Sequence, residues 1–438
     1  MEKSKEPAKN ILVLGAYGFI GAAVVRSLRD ENYKVTGMVR DLRTGQRVLP
    51  GIGLIQGDLR HMCSAEDWTE ILASVDVVVN CAGALQDGPE DDLEAVHHRS
   101  IAALAQAAAQ LDVSIVQISA IGAVANASTA FMRTKAAGDA ALQTNNARLW
   151  IIKPGLVIGQ SDYGGTALLR MLAAVPLIQP LAYPTAPVQC VGLDDVCRAI
   201  KDAVRDELPH GSYDLVEDTP HQLEQVVSAT RHWLGFPAAR AVIAAPSWLI
   251  KAVAAGADLL GHLGWRSPLR TTAMSVMAQG VVGDPARYRK VSGRSLAPLN
   301  AIYENLVCAR ENRMTARIGL LMPIVIASLS LFWVVSGVLG LLNLALAADV
   351  LTRVGWSVWI AKLSVVFWSF VDIALGLAVL WRPWVAHACL AQVAVAVFYL
   401  LSATIVTPAL WADPLGPLVK IIPVLMLSLT ARAMLDSR

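Results

Sequence analysis

The stretch Ile11–Gly21, read ILVLGAYGFIG, decides how the amino-terminal part of the chain folds. Ile11–Leu14 form an apolar run too short for a helix core. Gly15, Gly18 and Gly21 follow at a spacing of three and three, and the next residues, AAVVRSL, repeat apolar side chains at helical spacing. Strand, glycine turn and helix together present a helix amino terminus, whose unpaired N–H groups and dipole favour an anion. The three glycines suit a tight turn, close backbone approach to a pyrophosphate, and helix–strand packing. An ordinary glycine-rich βα turn is the alternative.

Working outward, short apolar runs alternate with helical patterns. Strands are expected at Lys34–Arg40, Gly53–Gln56, Val75–Asn80, Ile115–Ser119, Leu149–Ile152 and Gly211–Val216. A helix is expected at Ser100–Leu111. This alternation predicts an α/β fold with a Rossmann-like, doubly wound parallel sheet. Arg40 ends the second strand, where such a fold meets the adenosine ribose. A guanidinium there suits a 2′-phosphate and favours NADP(H) over NAD(H), although Asp41 stands beside it. A solvated strand end is the other reading of Arg40.

The motifs GAYGFIG, GDL, NCAG, VQISAIGA, FMRTKAAGD and IIKPGLVIG, taken as a set, resemble the short-chain dehydrogenase/reductases of the extended or atypical kind. Within them the chain is similar to the NADPH-carrying accessory subunit of respiratory complex I and its bacterial relatives. The resemblance covers about residues 10–300. It implies that Gly15, Tyr17, Gly18, Phe19, Ile20 and Gly21 hold the dinucleotide and that Asp58 and Leu59 lie near the adenine. It also implies that Cys81, Ala82, Gly83 and Pro154 line the cofactor, and that Ser119 and Lys135 stand at the catalytic serine and lysine positions, with Lys135 also on the ribose. The family's reactive tyrosine belongs four residues before its lysine, and that position is Phe131, which has no proton to give. Two functions remain: a reductase, dehydrogenase or epimerase with a degenerate site, or a protein that holds NADP(H) without turnover.

Past Gly159, a helix over the cofactor mouth is expected at Ser161–Val175. Asp194 or Asp195 should cap the helix that follows Cys190–Gly192, and His221–Leu234 should form an amphipathic helix ended by Gly235. Residues 241–265 are apolar but broken by Pro246, Lys251 and Asp258, which suits an interfacial helix with Trp248 and Trp265 at a headgroup layer, or a buried helix of a substrate lobe.

In the 438 residues, the high apolar fraction of 55% is concentrated beyond Arg317. Ile318–Leu346, Trp356–Trp381, Trp384–Val406 and Leu418–Met434 are apolar all round and near or above the length that crosses a bilayer. The expected organisation is a nucleotide domain over 1–300, a basic linker over 301–317 and an all-α four-helix membrane domain over 318–438. That last domain resembles the DoxX-like family in its span number and in the SGVLGLL run at Ser336–Leu342. Arg310, Arg313, Arg317, Arg382, Arg432 and Arg438 fall on one side of the bundle, with Arg353 the exception, so the positive-inside rule puts both termini in the cytoplasm. The lack of a signal peptide agrees. Such a protein, lodged in the cell membrane, is suited to a quinone, isoprenoid or other lipid-like substrate. A net charge of +2 gives no ground for a nucleic-acid partner. The six cysteines show neither C-x-x-C pairs nor metal-ligand spacing, so no metal is expected, and no pattern sets an oligomeric state. Asp372 lies inside the second span, ten residues before Arg382, and Gln392 lies ten after it. An antiparallel hairpin would bring the two to similar height, where Asp372 is expected to hydrogen-bond Gln392 or a polar ligand between the helices.

Overall fold

The computed structural model describes residues 9–88, 91–145, 148–265, 267, 269–414 and 416–435. They form two compact units, one of residues up to Asp258 with Ser267–Arg313, the other of Leu259–Arg266 with the chain from Met314 onward.

The first half of unit one runs β1 (Asn10–Leu14), α1 (Phe19–Arg29), β2 (Lys34–Val39), α2 (Leu42–Val48), β3 (Gly53–Gln56), α3 (Glu66–Leu72) and β4 (Val77–Asn80). A π-helical turn at Ala95–Arg99 leads into α4 (Ser100–Gln110), then β5 (Ser114–Ile118), α5 (Ala130–Asn145) and β6 (Leu149–Pro154). Next come β7 (Leu156–Ile158), α6 (Gly165–Ala173), β8 (Ile178–Leu181), β9 (Pro187–Val188), β10 (Cys190–Gly192), α7 (Leu193–Val204) and β11 (Gly211–Leu215). The unit continues with β12 (His221–Gln222), α8 (Leu223–Trp233), β13 (Ala241–Ala244), α9 (Ser247–His262), α10 (Thr271–Gln279), α11 (Ala286–Ser292) and α12 (Leu299–Glu304).

Seven of these strands make one parallel sheet in the order β11-β6-β5-β4-β1-β2-β3. Leu12 pairs with Thr36 on one side and Val78 on the other. The chain reverses its direction of travel across the sheet between β1 and β4, and ligands of open α/β sheets bind beyond the carboxyl ends of the strands at such a switch. Both faces are covered, which is why ILVL is apolar without alternation. Ile11 and Val13 enter the core on one face with Val25, Leu28 and Ile200, while Leu12 and Leu14 enter the other with Ile101, Leu104 and Trp68.

Several local expectations shift. The helix expected at Ser161–Val175 is shorter, at Gly165–Ala173. Neither Asp194 nor Asp195 caps α7: the cap is Gly192, without a side-chain bond, and both acids sit in the first turn, where their charge favours the helix dipole. The Asp195 carboxylate instead accepts from Arg198 and from the Ala297 amide. Gly235 ends α8 in the left-handed region at φ +68°, as its position suggested.

Unit two holds α13 (Arg310–Leu342, entering the unit at Met314), α14 (Leu344–Thr352), α15 (Val358–Ala378), α16 (Val385–Val406) and α17 (Pro417–Leu435). Four of them, α13, α15, α16 and α17, are long and apolar enough to cross a membrane. The first begins earlier than expected and stops at Leu342, because the chain breaks at Asn343 before α14. Gly337 of the SGVLGLL run marks a close helix approach: a Cβ there would lie 2.3 Å from the Ser369 carbonyl oxygen.

The expected Asp372–Gln392 pair does not form. Asp372 accepts from Ser336 Oγ at 2.9 Å and from Tyr399 Oη at 2.7 Å. Gln392 donates to the Leu375 carbonyl at 3.3 Å and accepts from Ser428 Oγ at 3.0 Å. Equal chain distance from the turn is not equal reach, because helical side chains lean toward their own amino terminus. On α16 that lean is toward the turn; on α15 it is away from it. Gln392 therefore meets Leu375, and Tyr399, farther along, leans back to Asp372. Arg438, counted among the basic residues above, lies outside the described residues. Arg353, the exception to the charge bias, is paired with Asp349 at 2.6 Å.

Candidate functional site

The glycine turn allows no larger residue at two of its three positions. Gly15 has φ +66°, and a Cβ on it would lie 2.8 Å from Ala82 Cα. A Cβ on Gly21 would lie 2.2 Å from the Gly15 carbonyl oxygen. Gly18 is the amino cap of α1, supplies no side-chain acceptor, and donates its own amide to Gly15 O at 2.9 Å. The first amides of a helix have no partner within it, so those of Phe19, Ile20 and Gly21 are turned toward the switch point. The rings and side chains of Tyr17, Phe19 and Ile20 pack on the core of the unit. Together these features make a cradle shaped for a diphosphate.

Arg40 and Asp58 stand beyond the ends of β2 and β3. Arg40 Nη1 donates to Asp91 Oδ1 at 2.9 Å, and its side chain also meets the Tyr17 phenol. Burial opposes its charge, but Asp91 and Tyr17 outweigh burial and raise its pKa. Asp58 does not present an unoccupied carboxylate: Arg60 grips it through Nε and Nη2, at 2.6 Å for the shortest bond, and holds its pKa low. Asp41 is the amino cap of α2, accepting from the Arg43 and Thr44 amides, which removes it as a competitor for a ribose hydroxyl. Arg60 and Asp91 were not singled out from sequence; Arg60 directly follows the Gly57-Asp58-Leu59 motif, whereas nothing local marks Asp91. Leu59 itself is buried in the core with Met38 and Trp68.

Cys81, Ala82 and Gly83 leave β4 at the switch point. Asn80 Oδ1 accepts from the Ala82 amide at 3.0 Å, and its Nδ2 donates to Gln117 Oε1 at 2.8 Å, which ties the ends of β4 and β5 together. Burial pushes the Cys81 thiol well above its ordinary pKa, so it is an inert wall rather than a nucleophile. A Cβ on Gly83 would lie 3.3 Å from both His97 Nε2 and Lys135 Nζ.

Lys135 is buried and donates from Nζ to the Ile118 carbonyl at 2.9 Å. Burial lowers its pKa, while Asp139 and Cys81 oppose that change. Ser119, the next residue after Ile118, donates from Oγ to Asp139 Oδ2 at 2.5 Å. Asp139 is itself buried; desolvation raises its pKa against the pull of the Ser119 bond and the Lys135 and Lys153 charges. Its Oδ1 makes no hydrogen bond. The structure therefore brings Ser119 and Lys135 to one place, beside the Gly83 end of the cradle, and adds a carboxyl that sequence reading missed. The signal was available: Phe131, Lys135 and Asp139 are spaced by four along α5 and share one face. Pro154 closes β6, two residues past the Ile118–Ile152 pair.

Phe131, at the tyrosine position, packs edge-on against His97, with ring centroids 5.5 Å apart. The Ala84 amide donates to His97 Nε2 at 3.1 Å, and Thr134 Oγ1 lies 3.0 Å from Nδ1 while donating to the Phe131 carbonyl. These bonds require a neutral ring with its proton on Nδ1. Burial, helped by Lys135, pushes its pKa down to about 2. The unfolded chain takes up a proton below about pH 6.5 that the folded His97 refuses, so acid favours unfolding. Stability of this unit should fall by up to about 1.4 kcal/mol per pH unit below 6.5 on account of His97. His97→Gln should flatten that part of the pH dependence of amide exchange in β4; an unchanged slope would show that His97 is protonated in the native state.

A family model described as NAD(P)H-binding matches residues 15–169, and one described as DoxX-like matches residues 330–429. No curated protein matches the chain. Among solved structures, the enzyme WbmH of Bordetella bronchiseptica in complex with NAD+ is 17% identical at a TM-score of 0.51, covering 68% of this chain and 97% of that one. The UDP-glucose 4-epimerase of Thermus thermophilus in complex with NAD is also 17% identical at a TM-score of 0.51, covering 68% and 100%. The UDP-N-acetylglucosamine 4-epimerase of Bacillus cereus is 15% identical at a TM-score of 0.50, covering 68% and 95%. At these identities the likeness is one of fold. The chain thus joins a Rossmann-like domain, matched over residues 15–169 by an NAD(P)H-binding family model, to a region matched over residues 330–429 by a DoxX-like model, with four membrane-length helices among the described residues.

Proposed function

We propose that this protein is a membrane-anchored oxidoreductase that prefers NADP(H) and reduces or oxidises a carbonyl-bearing lipid-like substrate, a quinone or isoprenoid, at the cytoplasmic face. The observation that carries this reading is the Ser119–Lys135 pair, held at the mouth of the glycine cradle with Asp139 within hydrogen-bond reach of Ser119. The residues fit a dinucleotide: Gly15–Gly21 for the diphosphate, Lys135 for ribose hydroxyls, Arg40 for a 2′-phosphate. Bound there, the dinucleotide supplies or accepts a hydride. The chain's own task is to orient the carbonyl through Ser119 and move its proton.

Preference for the phosphorylated cofactor is supported by two guanidiniums, Arg40 and Arg60, close enough to repel each other, and by the engagement of Asp41 as a helix cap. Arg40→Ala should weaken NADPH binding by at least about tenfold, a loss of about 1.4 kcal/mol typical of one charge-assisted contact, and leave NADH nearly unchanged. Titration of the purified chain with both dinucleotides checks this, and equal losses would overturn the assignment. Mass spectrometry of nucleotide and lipid that co-purify with the chain tests the wider reading. The cytoplasmic placement is supported by the arginine bias, to which Arg353 remains the exception.

A second reading is favoured by Phe131 alone: a subunit that holds NADP(H) for assembly or sensing, without turnover.

A further inference from the structure

The nucleotide-binding unit carries exposed apolar side chains that its own cores leave uncovered, on both sides of a two-stranded ribbon and on one helix. β8 and β13 form a two-stranded parallel ribbon apart from the main sheet, in register from Ile178–Ala241 to Leu181–Ala244. All four β13 residues are exposed, with Val242 at 45% and Ile243 at 48%, and so is Leu177 on the approach to β8. In the next element, α9, Ala254 and Ile250 pack with Leu168 and Met274. The opposite side of α9 leaves Trp248, Leu249 and Val253 outside, Trp248 at 68%. A lone two-stranded ribbon is marginal in water, and a grouped apolar surface of this kind marks a contact site.

The charge of these segments favours one occupant. The nearest acid along α9, Asp258, is paired with Arg270. Residues 176–186 and 237–257 contain no acidic side chain, and the two cations among them, Arg240 and Lys251, are both exposed. Apolar side chains, an exposed tryptophan and flanking cations are the composition that settles at the boundary between acyl chains and anionic headgroups. The four membrane-length helices of the same chain place a bilayer within reach wherever the protein resides.

We propose that β13, the Leu177–Ile178 start of β8 and the outer side of α9 are a second, monotopic membrane contact, with Trp248 at headgroup depth and Arg240 and Lys251 on anionic lipid. This rests on the four helices spanning a bilayer and is independent of whether the site turns over.

The test uses the full chain in nanodiscs of mixed zwitterionic and anionic phospholipid. Nitroxide labels are placed singly at Ile243→Cys and Trp248→Cys, with a reference at Leu111→Cys, all in a Cys63→Ser background. Collisions with oxygen should exceed those with a water-soluble nickel chelate at 243 and 248, and the ratio should reverse at 111. Nickel exceeding oxygen at 243 and 248 overturns the proposal. Dipolar broadening at 243 that vanishes on dilution with unlabelled chain also overturns it, in favour of contact with a second copy. In the unmodified chain, a phospholipid with a photoreactive diazirine in its upper acyl chain should form adducts within 241–253. Adducts confined to α13, α15, α16 and α17 would overturn the proposal even if the labelled variants misfold.

Discussion

Gly21→Ala should reduce dinucleotide affinity by about 100-fold or more. The added Cβ would sit 2.2 Å from the Gly15 carbonyl oxygen and 3.1 Å from Ala16 Cα. Both obstacles are backbone, so no side-chain rotation relieves the clash. Either α1 moves away from β1 by about 1 Å, or the Gly15–Gly18 turn opens. Each displaces the amides of Phe19, Ile20 and Gly21 from the diphosphate position, and a misplacement of that size costs about two orders of magnitude in a positioned site. Calorimetric titration of the full chain with NADPH measures the loss. Gly53→Ala is the control, since its Cβ would meet only Thr36 Oγ1, at 3.9 Å. If Gly21→Ala retained wild-type affinity, the cradle would not be where the dinucleotide sits.

Asp139→Asn should lower carbonyl reduction by about 10²–10⁴-fold, the range of general acid catalysis, without weakening NADPH binding. Phe131 leaves the site without its usual proton donor, and Asp139 is the buried acid that touches Ser119. On the proposed reading, in the reducing direction the carbonyl oxygen would take the Ser119 proton while Ser119 takes one from protonated Asp139, leaving a carboxylate near Lys135 and Lys153. Burial raises the Asp139 pKa, so the donor form persists to higher pH than for an ordinary carboxyl. Wild-type reduction should decline as pH rises through that raised value, and the variant should lose this limb, while Asp139→Glu should recover part of it. NADPH oxidation with a short-chain quinone as probe follows the rate. An unchanged pH profile in the variant would remove Asp139 from the proton path. Phe131→Tyr separates the two functional readings: an enzyme otherwise arranged for chemistry should gain about 100-fold or more, whereas no turnover in either form would favour the holding subunit.

The cradle was legible because it is local. Gly15, Gly18 and Gly21, the strand before them and the helix after them lie within one short segment, and backbone geometry excludes a larger residue at Gly15 and Gly21. The parallel sheet was legible for a similar reason, since β strands buried on both faces must be apolar without alternation, as in Ile11–Leu14 and Val77–Asn80. The membrane-length helices follow from composition alone, because a segment apolar all round has no side to turn to water.

Other features could not be read this way. Asp139 became part of the site only when α5 packed beside β5 and placed it against Ser119, twenty positions earlier in the chain. Asp41 looked available for a ribose until the structure engaged it as a helix cap, and the Asp58 carboxylate, expected near the adenine, is held by Arg60. Asp372 found Tyr399 and Ser336 instead of Gln392 because the lean of side chains, not their count from the turn, sets who meets across a hairpin. By itself, then, the sequence determined the strands of the main sheet, the fold class, the glycine turn and the membrane-length helices, all consequences of short-range sterics and hydrophobic period. The tertiary structure alone decided which charged groups are already paired and which buried acid stands behind Ser119, because those depend on contacts between residues distant in the chain.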